Sequence, residues 1–219
     1  METIEEARRK ILNEITSDDA DVRADYLKHF QLDIEKFSDA MARAVVNWQP
    51  LPAEVKDDVK LGLVSGWVIT AISLHILSMK LFVSGHVVAA GNLFRQVVET
   101  IALALRCSAQ LDVLNKVRNG KYSTNNAVKD LLRQAKQIGI DKEAVKALRD
   151  AQVFYHNYSH PTLHTIWAGV SLSEGVPYVG ASFDNEKMEI YAKEIERRLD
   201  LASVFSNFVD AVKANVGKW

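Results

Sequence analysis

Apolar residues recur at every third or fourth position along most of the chain, which is the spacing of one buried face of an α-helix. The segment Leu32–Trp48 has this pattern most clearly in the first part of the sequence. Its apolar positions are Ile34, Phe37, Met41, Val45 and Trp48. Two shorter helices are predicted before it, over residues 2–16 and 19–30. The prolines at positions 50 and 52 end the segment, because a proline disfavours helical backbone at the residue before it.

The proline-containing stretch after Trp48 is the best internal boundary of the sequence. We therefore predict an N-terminal helical appendage, residues 1–48, and a helical-bundle core domain, residues 53–219. A chain of 219 residues is long enough for one domain with a sizeable core and such an appendage.

Residues 61–79 contain no Asp, Glu, Lys or Arg. A segment of this length can span a bilayer, but this one also contains three serines, two glycines and His75. A helix that is apolar on all sides is equally what the centre of a helical bundle requires. We interpret the segment as part of a buried core helix that begins near Ala53, and we expect no association with a membrane. A membrane-associated protein is the alternative.

A turn at Ser84-Gly85 separates this helix from a second apolar helix at 86–109, with Ser84 as its N-cap. Two consecutive apolar helices joined by a short turn form an antiparallel pair at the heart of a bundle. The pattern also predicts helices at 124–138, 141–160 and 184–214, a short element at 162–172, and a small hairpin or extended loop near 173–183. The sequence thus predicts an all-α bundle of about six to eight helices.

Composition excludes several classes of protein. A net charge of −1 excludes a strongly basic nucleic-acid coat, and the single cysteine, Cys107, permits no internal disulfide. The charged beginning of the chain is not followed by the apolar segment of a signal peptide. We therefore expect a cytoplasmic protein.

One stretch, Lys146–His164, concentrates titratable and aromatic side chains. It holds three of the six histidines and three aromatic residues. As a helix up to about His160, it places Arg149, His156 and His160 on one face, because steps of seven and four residues nearly close whole turns. This face offers a cation and two imidazoles to a ligand, and we predict it as the functional surface.

Arg149 and His156 are separated by six residues, with Asp150 directly after the arginine. This R-x6-H pattern resembles the signature of the HEPN superfamily, small helical-bundle proteins that carry R-x(4–6)-H near the start of a late helix. The resemblance implies a metal-independent ribonuclease or an RNA-binding protein, of the kind used in toxin–antitoxin or phage-defence systems. It also implies a homodimer whose two motifs face each other across a shared cleft, with RNA and an antitoxin or another protein as partners.

The chemistry of these side chains fits the implied activity. A histidine that titrates near neutral pH can take the proton from a ribose 2′-hydroxyl or give one to the leaving oxygen. An arginine can hold the phosphate in a forked grip and stabilise the charge of the transition state. We predict Arg149, His156 and His160 as catalytic residues. Asp150 is expected to orient Arg149.

A second pattern, Arg95-x3-Glu99, lies in the apolar helix predicted at 86–109. Followed much later by aromatic, serine and histidine residues, it resembles a group of uncharacterised bacterial helical proteins related to HEPN domains. In this chain the later residues are Tyr155, Tyr158, Ser159 and His160. The resemblance implies no activity. We assign supporting roles to Arg95, Glu99, Tyr155 and Ser159.

Two interpretations are open for each motif. Glu99 either orients one of the two histidines by accepting an imidazole N–H, or forms an internal ion pair with Arg95 that fixes the helix register. We favour the ion pair. Arg149 either binds phosphate or pairs with Asp150 or Glu143 on the helix surface, in which case the histidine seven residues later is partly buried.

Histidines at positions 156, 160 and 164 have the spacing of zinc ligands on an unbroken helix. Pro161 breaks that helix, no cysteine lies near, and the usual intervening glutamate is missing. We therefore expect no metal ion and no cofactor.

The leading hypothesis is a metal-independent ribonuclease or RNA-binding protein of the HEPN type. Lys129, Arg133 and Lys136 are predicted to follow the RNA backbone, although a solvated helix face has the same pattern. The second hypothesis, from a different class, is a non-catalytic helical interaction module with an unknown partner. The surroundings of Arg149 and His156 distinguish the two hypotheses. If both side chains line an open groove, catalysis is favoured; if both are buried with partners in the same chain, the interaction module is favoured.

Overall fold

The computed structural model describes residues 3–53 and 58–219, and every regular element in these ranges is helical. The helices are α1 (Ile4–Thr16), α2 (Ala20–Trp48), α3 (Pro50–Ala53), α4 (Val59–Val83), α5 (Val87–Ala109), α6 (Leu111–Arg118), α7 (Ala127–Ile138), α8 (Lys142–His156), α9 (Leu163–Ala168), α10 (Met188–Ser203) and α11 (Phe205–Val216). Eight of these described helices have twelve residues or more. The predicted all-α class, with about six to eight long helices, is confirmed.

Helices α4 and α5 form the predicted antiparallel pair, and they share the most extensive contact of any two helices described. They are joined at Gly85, whose φ of +84° favours glycine. A Cβ at Gly85 would lie 2.6 Å from the backbone nitrogen of Ser182, so the close approach of the later loop also favours glycine. Residues 101–108 of α5 are buried without interruption, which explains the apolar run from Ile101 to Leu105.

The starts of these two helices differ from those predicted. Helix α4 begins at Val59, where Asp58 Oδ1 accepts from the N–H of Lys60, instead of near Ala53. Residues 54–57 lie outside the described residues. Ser84 ends α4 rather than capping α5, and its hydroxyl accepts a hydrogen bond from Arg23 at 3.0 Å.

By length and composition alone, α4 and α5 are each long and apolar enough to cross a membrane. Core helices of soluble proteins have the same composition, and half of the apolar window of α5 is buried inside the protein, against 39% for α4. In α4, Val64, Val68 and Ile72 face the core. The expected lack of membrane association stays a prediction.

Helix α2 is continuous from Ala20 to Trp48, so the two helices predicted at 19–30 and 32–48 are one. The reason is that no glycine or proline interrupts the segment. Its buried side chains are Tyr26, Phe30, Phe37, Ala40, Met41 and Ala44. They belong to the same hydrophobic cluster as the buried residues of α4, α5, α10 and α11. Helix α1, by contrast, has no buried residue.

The second half of the chain has shorter elements than predicted. The helix expected from Asp184 to Ala214 starts with a 3-10 turn and is interrupted at Val204, giving α10 and α11. The helix expected from 124 also begins with a 3-10 turn. The region predicted as a hairpin or loop has a single antiparallel bridge, between Val170 and Pro177.

A buried ion pair between Glu194 and Arg198 lies at the junction of four helices. Arg198 Nη1 donates to Glu194 Oε2 at 2.7 Å, and both side chains are almost wholly buried. The same oxygen accepts from the hydroxyl of Tyr155 on α8 at 2.8 Å. The Arg198 guanidinium lies over the rings of Phe82 on α4 and Phe94 on α5. The pair therefore fixes α10 against α8, α4 and α5.

His75 of α4 is fully buried beside this pair. Its Nε2 lies 3.0 Å from the carbonyl oxygen of Arg198, so this nitrogen carries the proton and donates. The rings of Phe37, Phe94 and Phe205 surround the imidazole. Burial, with the charge of Arg198, lowers the pKa of His75 to about 3, although the hydrogen bond to the carbonyl opposes the shift.

The pKa of His75 predicts a loss of stability in acid. Below its ordinary pKa of 6.5 the unfolded chain binds a proton at this histidine, whereas the folded chain stays neutral down to a pKa of about 3. The free energy of unfolding should therefore fall with decreasing pH by about 1.4 kcal/mol per unit from this group alone. Urea unfolding of the wild type and of His75→Leu between about pH 4 and pH 6 measures this difference in slope. Parallel pH dependences in the two proteins would show that His75 is protonated in the folded state.

Candidate functional site

Helices α5 and α8 present a connected row of polar side chains. Arg95 Nε donates to Glu99 Oε1 at 3.0 Å within α5. The same oxygen accepts from Gln152 Nε2 of α8 at 3.0 Å. Gln152 Oε1 accepts in turn from Arg149 Nη1 at 2.9 Å. The row therefore joins the two sequence motifs, R-x3-E and R-x6-H.

The pair of Arg95 and Glu99 is largely buried, with side chains 16% and 14% exposed. Glu99 has the arrangement that the sequence favours, an ion pair with Arg95, and its described hydrogen bonds are to Arg95 and Gln152 rather than to a histidine. Because one carboxylate oxygen binds a side chain of each helix, Glu99 fixes the position of α8 along α5.

Gln152 is a member of this row that sequence reasoning does not identify. A neutral amide has no charge or pKa that would mark it as part of a site. Its position is the available signal, since it lies three residues after Arg149 and four before His156 on the same helical face. The side chain is buried, so both ends of its amide use partners within the protein.

His156 and His160 lie together at the end of α8. The helix ends at His156, four residues earlier than predicted, and the next three N–H groups bond to carbonyls three residues back. This tightened turn separates the helix from Pro161, whose ring cannot follow a helical residue without a clash. The centroids of the two imidazole rings nevertheless lie 4.3 Å apart, and both side chains are exposed.

The turn after α8 is held on α5 by two neighbouring contacts. Ser159 Oγ donates to Asn92 Oδ1 at 2.8 Å. The ring of Tyr158 lies directly on Gly91, where an added Cβ would come within 2.6 Å of it. Ser159 and Tyr158 thus position the segment that carries His160.

The charges around His156 favour its neutral form. Partial desolvation, the neighbouring His160 and the guanidinium of Arg95 lower the pKa of His156 below its ordinary value of 6.5, and the Glu99 carboxylate opposes the shift. His156 is therefore mostly deprotonated at neutral pH and able to accept a proton.

Tyr155, a predicted supporting residue, lies in the core instead of beside the histidines. Its hydroxyl donates to Glu194, and its ring stacks on Phe94 with centroids 4.3 Å apart. Burial raises the pKa of this hydroxyl above its ordinary value. Tyr155 therefore cannot contact a ligand bound at His156, and its role is to orient α8.

Asp150 and Arg149 point to different neighbours. Asp150 is exposed at the edge of an apolar groove. Arg149 bonds to Gln152, and among the described residues Glu143 pairs with Lys146 instead. The surface ion pair of Arg149 with Asp150 or Glu143 is therefore not seen in the described part of the chain.

The predicted RNA-binding residues Lys129, Arg133 and Lys136 lie exposed along α7. Arg133 approaches Asp130 to 3.7 Å, and α7 packs against both α5 and α8. The stripe is therefore accessible on a helix next to the two motifs, and its binding to RNA stays a prediction.

Comparison with known proteins gives no relative. The chain matches no family model, no curated protein and no solved structure. The likeness to HEPN proteins therefore rests on the two sequence motifs and stays a prediction.

Glu14, Asp19 and His86 are the one group of metal-ligating side chains that converge within 4.8 Å in the described ranges. His86 Nε2 lies 3.0 Å from Asp19 Oδ2, and Glu14 accepts from the N–H of Ala181 at 2.9 Å. These contacts account for the group without an ion. His164 packs near the rings of Phe154 and Tyr158, and its described ring contacts do not include the histidine pair.

The Glu99 junction predicts a measurable effect on stability. Glu99→Ala removes the acceptor of Arg95 and Gln152 and leaves two largely buried donors unpaired, so the free energy of unfolding should fall by about 2–3 kcal/mol. Glu99→Gln keeps an acceptor oxygen, so its free energy of unfolding should fall by less. Urea unfolding of both variants, with the exposed Gln96→Ala as a control on the same helix, measures the difference. An unchanged unfolding midpoint in Glu99→Ala would mean that α5 and α8 are not joined through this carboxylate.

Proposed function

We propose that the protein is a metal-independent ribonuclease of the HEPN type, with the histidine pair at the end of α8 as its reactive centre. The observation that carries the proposal is the exposed pair of His156 and His160, whose ring centroids lie 4.3 Å apart. The pair lies beside the polar row that contains Arg95 and Arg149. Exposed imidazoles, with guanidinium groups in the row next to them, are the kinds of group that cleavage of a phosphodiester needs.

The proposed reaction is an internal attack of the ribose 2′-oxygen on the adjacent phosphorus. The neutral imidazole of His156 takes the 2′-hydroxyl proton as the new P–O bond forms. A protonated imidazole, His160, gives its proton to the 5′-oxygen as the old P–O bond breaks. The products are a 2′,3′-cyclic phosphate and a free 5′-hydroxyl, and the two histidines exchange protonation states. The histidines can exchange these roles, because each imidazole works in either direction.

Arg149 is proposed to bind the scissile phosphate. Its Nη1 is held by Gln152, which limits the freedom of the guanidinium and preorganises it. Arg95 adds a second positive charge near His156, and its pairing with Glu99 keeps that charge in place. Lys129, Arg133 and Lys136 are proposed to bind the rest of the RNA backbone.

The proposal includes a homodimer with the two motifs near a shared cleft. Helix α9, which begins three residues after His160, exposes three large apolar side chains. These are Leu163, Ile166 and Trp167, each more than half exposed. A cluster of this kind beside cationic groups has the composition of an interface. On this proposal the protein acts in the cytoplasm, in a toxin–antitoxin or phage-defence system, with an antitoxin or another protein as partner.

A second candidate function, a non-catalytic interaction module, is favoured by one observation. Arg149, Gln152, Glu99 and Arg95 all have hydrogen-bond partners within the chain. Such a closed row stabilises helix packing without any ligand. The histidines distinguish the two functions, because a structural row needs no exposed imidazole pair at its end.

The ribonuclease proposal is tested with purified full-length protein and mixed RNA in EDTA. Wild type should cleave and leave cyclic or 3′-phosphate ends, and His156→Ala should lose at least about a hundredfold in rate. Because the pKa of His156 lies below its ordinary value of 6.5, activity should persist at neutral pH and should fall in acid, as His156 becomes protonated.

His164→Ala is the matched control for this assay. His164 lies in the same stretch, is exposed and is outside the histidine pair, so its removal should leave the rate unchanged. Arg149→Lys should weaken substrate binding, since lysine lacks the forked geometry. Cleavage by His156→Ala at the wild-type rate, or equal losses in His156→Ala and His164→Ala, would contradict the proposed mechanism and favour the interaction module.

A further inference from the structure

The apolar side chains of helix α1 are exposed to solvent in the protomer. Ile4, Ile11, Leu12 and Ile15 are 90%, 53%, 57% and 74% exposed, and no residue of the helix is buried. Together with Ala7 they occupy one helical face, at steps of three, four and one residues. An isolated helix of this length is only marginally stable in water, and its stability in a protein normally comes from packing of such an apolar face. The apolar stripe of α1 therefore lacks the partner that its sequence is suited to.

An apolar groove of about 1050 Å³ lies between α8 on one side and α10 and α11 on the other, with α5 as its floor. Its apolar lining includes Val98 and Ile101 from the floor, Leu148 and Ala151 from α8, and Phe208 from α11. The groove exists because α8 packs on α5 and α7, whereas its described side-chain contacts with α10 lie near the C-terminal end of α8. There Tyr155 bonds to Glu194, and Arg197 covers the ring of Phe154.

The dimensions of the groove match one face of α1. On this side the lining runs from Asp141, the N-cap of α8, to Tyr155, which corresponds to about 21 Å along the helix axis. The apolar stripe of α1, Ile4 to Ile15, is about 16 Å long. The groove is therefore long enough for the apolar stripe of α1, and a helix docked by that stripe would keep its polar face in solvent, as in helix-in-groove complexes.

The charges are complementary as well. Arg8 lies inside the α1 stripe, four residues from both Ile4 and Leu12, and in the protomer it makes an exposed ion pair with Glu5 alone among the described contacts. Three aspartates stand along the groove. They are Asp141, Asp150 and Asp200, and all are exposed. A docked α1 would thus place a guanidinium among carboxylates at the edge of an apolar contact.

The occupant is the α1 helix of a second copy rather than the protomer's own. In the protomer, Glu14 at the end of α1 binds the N–H of Ala181, and Gly180 leaves room for that carboxylate. Only residues 17–19 link α1 to α2, which reach about 10 Å at most. No residue of α1, α2 or the 180–182 loop lines the groove.

We propose that α1 of each protomer docks its apolar face in the α5–α8–α11 groove of a second copy, so that a reciprocal exchange forms a two-fold homodimer. The inference does not depend on the proposed chemistry. The exchange buries the four large apolar side chains of α1 from each protomer in the groove of the other. The two contacts are identical, as two-fold symmetry requires.

The test is sedimentation of the full chain at micromolar concentration. Wild type should be a dimer. Ile11→Asp should raise the dimer Kd at least about tenfold, since burial of one isoleucine contributes at least that much. Ala147→Arg, which places a charge in the groove, should do the same. Val46→Asp is the control, because Val46 is 63% exposed on α2 and lies outside both surfaces. Circular dichroism shows whether each variant keeps its helices.

Disulfide trapping identifies the contact itself. Ile11→Cys and Ala147→Cys are made in separate chains and mixed under oxidising conditions. The native Cys107 does not interfere, because it is fully buried and burial raises the pKa of its thiol to about 12. A covalent heterodimer in the mixture alone supports the exchange.

Three outcomes would overturn the inference. They are a wild-type monomer at about a hundred micromolar, a dimer that Ile11→Asp leaves intact, and a monomer whose groove holds a small apolar molecule by native mass spectrometry. Ribonuclease activity in a dimer that Ile11→Asp leaves intact would show that the exchange is wrong while the proposed function stands.

Discussion

The buried pair of Glu194 and Arg198 is the interaction on which the arrangement of the bundle depends. One carboxylate oxygen holds the guanidinium of its own helix and the Tyr155 hydroxyl of α8, while the guanidinium lies over aromatic rings of α4 and α5. Removing either member would leave a charge buried without compensation, which is far more destabilising than the net contribution of the intact pair. The backbone carbonyl of Arg198 also accepts from His75 Nε2, so the same turn of α10 binds the one histidine that the core contains among the described residues.

This constraint determines which side of α8 meets solvent. Tyr155 must face Glu194, so the residues three and one positions away from it, Gln152 and His156, lie toward α5 and the surface. Gln152 then reaches Glu99, and His156 reaches the end of the helix beside Arg95. The site is thus a consequence of core packing. The polar row between α5 and α8 is a second set of contacts that fixes α8. The exposed histidine pair lies at the C-terminal end of α8, beyond both sets of contacts.

The sequence predicts the helical class, most helix positions and the pairing of Arg95 with Glu99, because these depend on local spacing of three or four residues. It does not reveal the core pair, since Glu194 and Arg198 lie in a segment so rich in charge that it has the composition of a solvated helix. It misplaces Tyr155, because a tyrosine between Phe154 and His156 gives no sign of which tertiary partner it has. The early end of α8 depends on turn hydrogen bonds upstream of Pro161, and proline position alone marks only the latest residue at which the helix can end.

The electrostatics of the histidine pair also couple proton binding to ligand binding. Arg95 and a protonated His160 disfavour a second positive charge on His156. A phosphate placed between these groups reverses that balance, because a nearby anion stabilises the imidazolium form. By linkage, a phosphate bound there as proposed would raise the pKa of His156, and the protonated surface would bind it more tightly than the neutral one. On the proposed function, the arrangement that keeps His156 neutral in the free protein would stabilise its proton once an anion is bound, which is the change that a general base undergoes during phosphodiester cleavage.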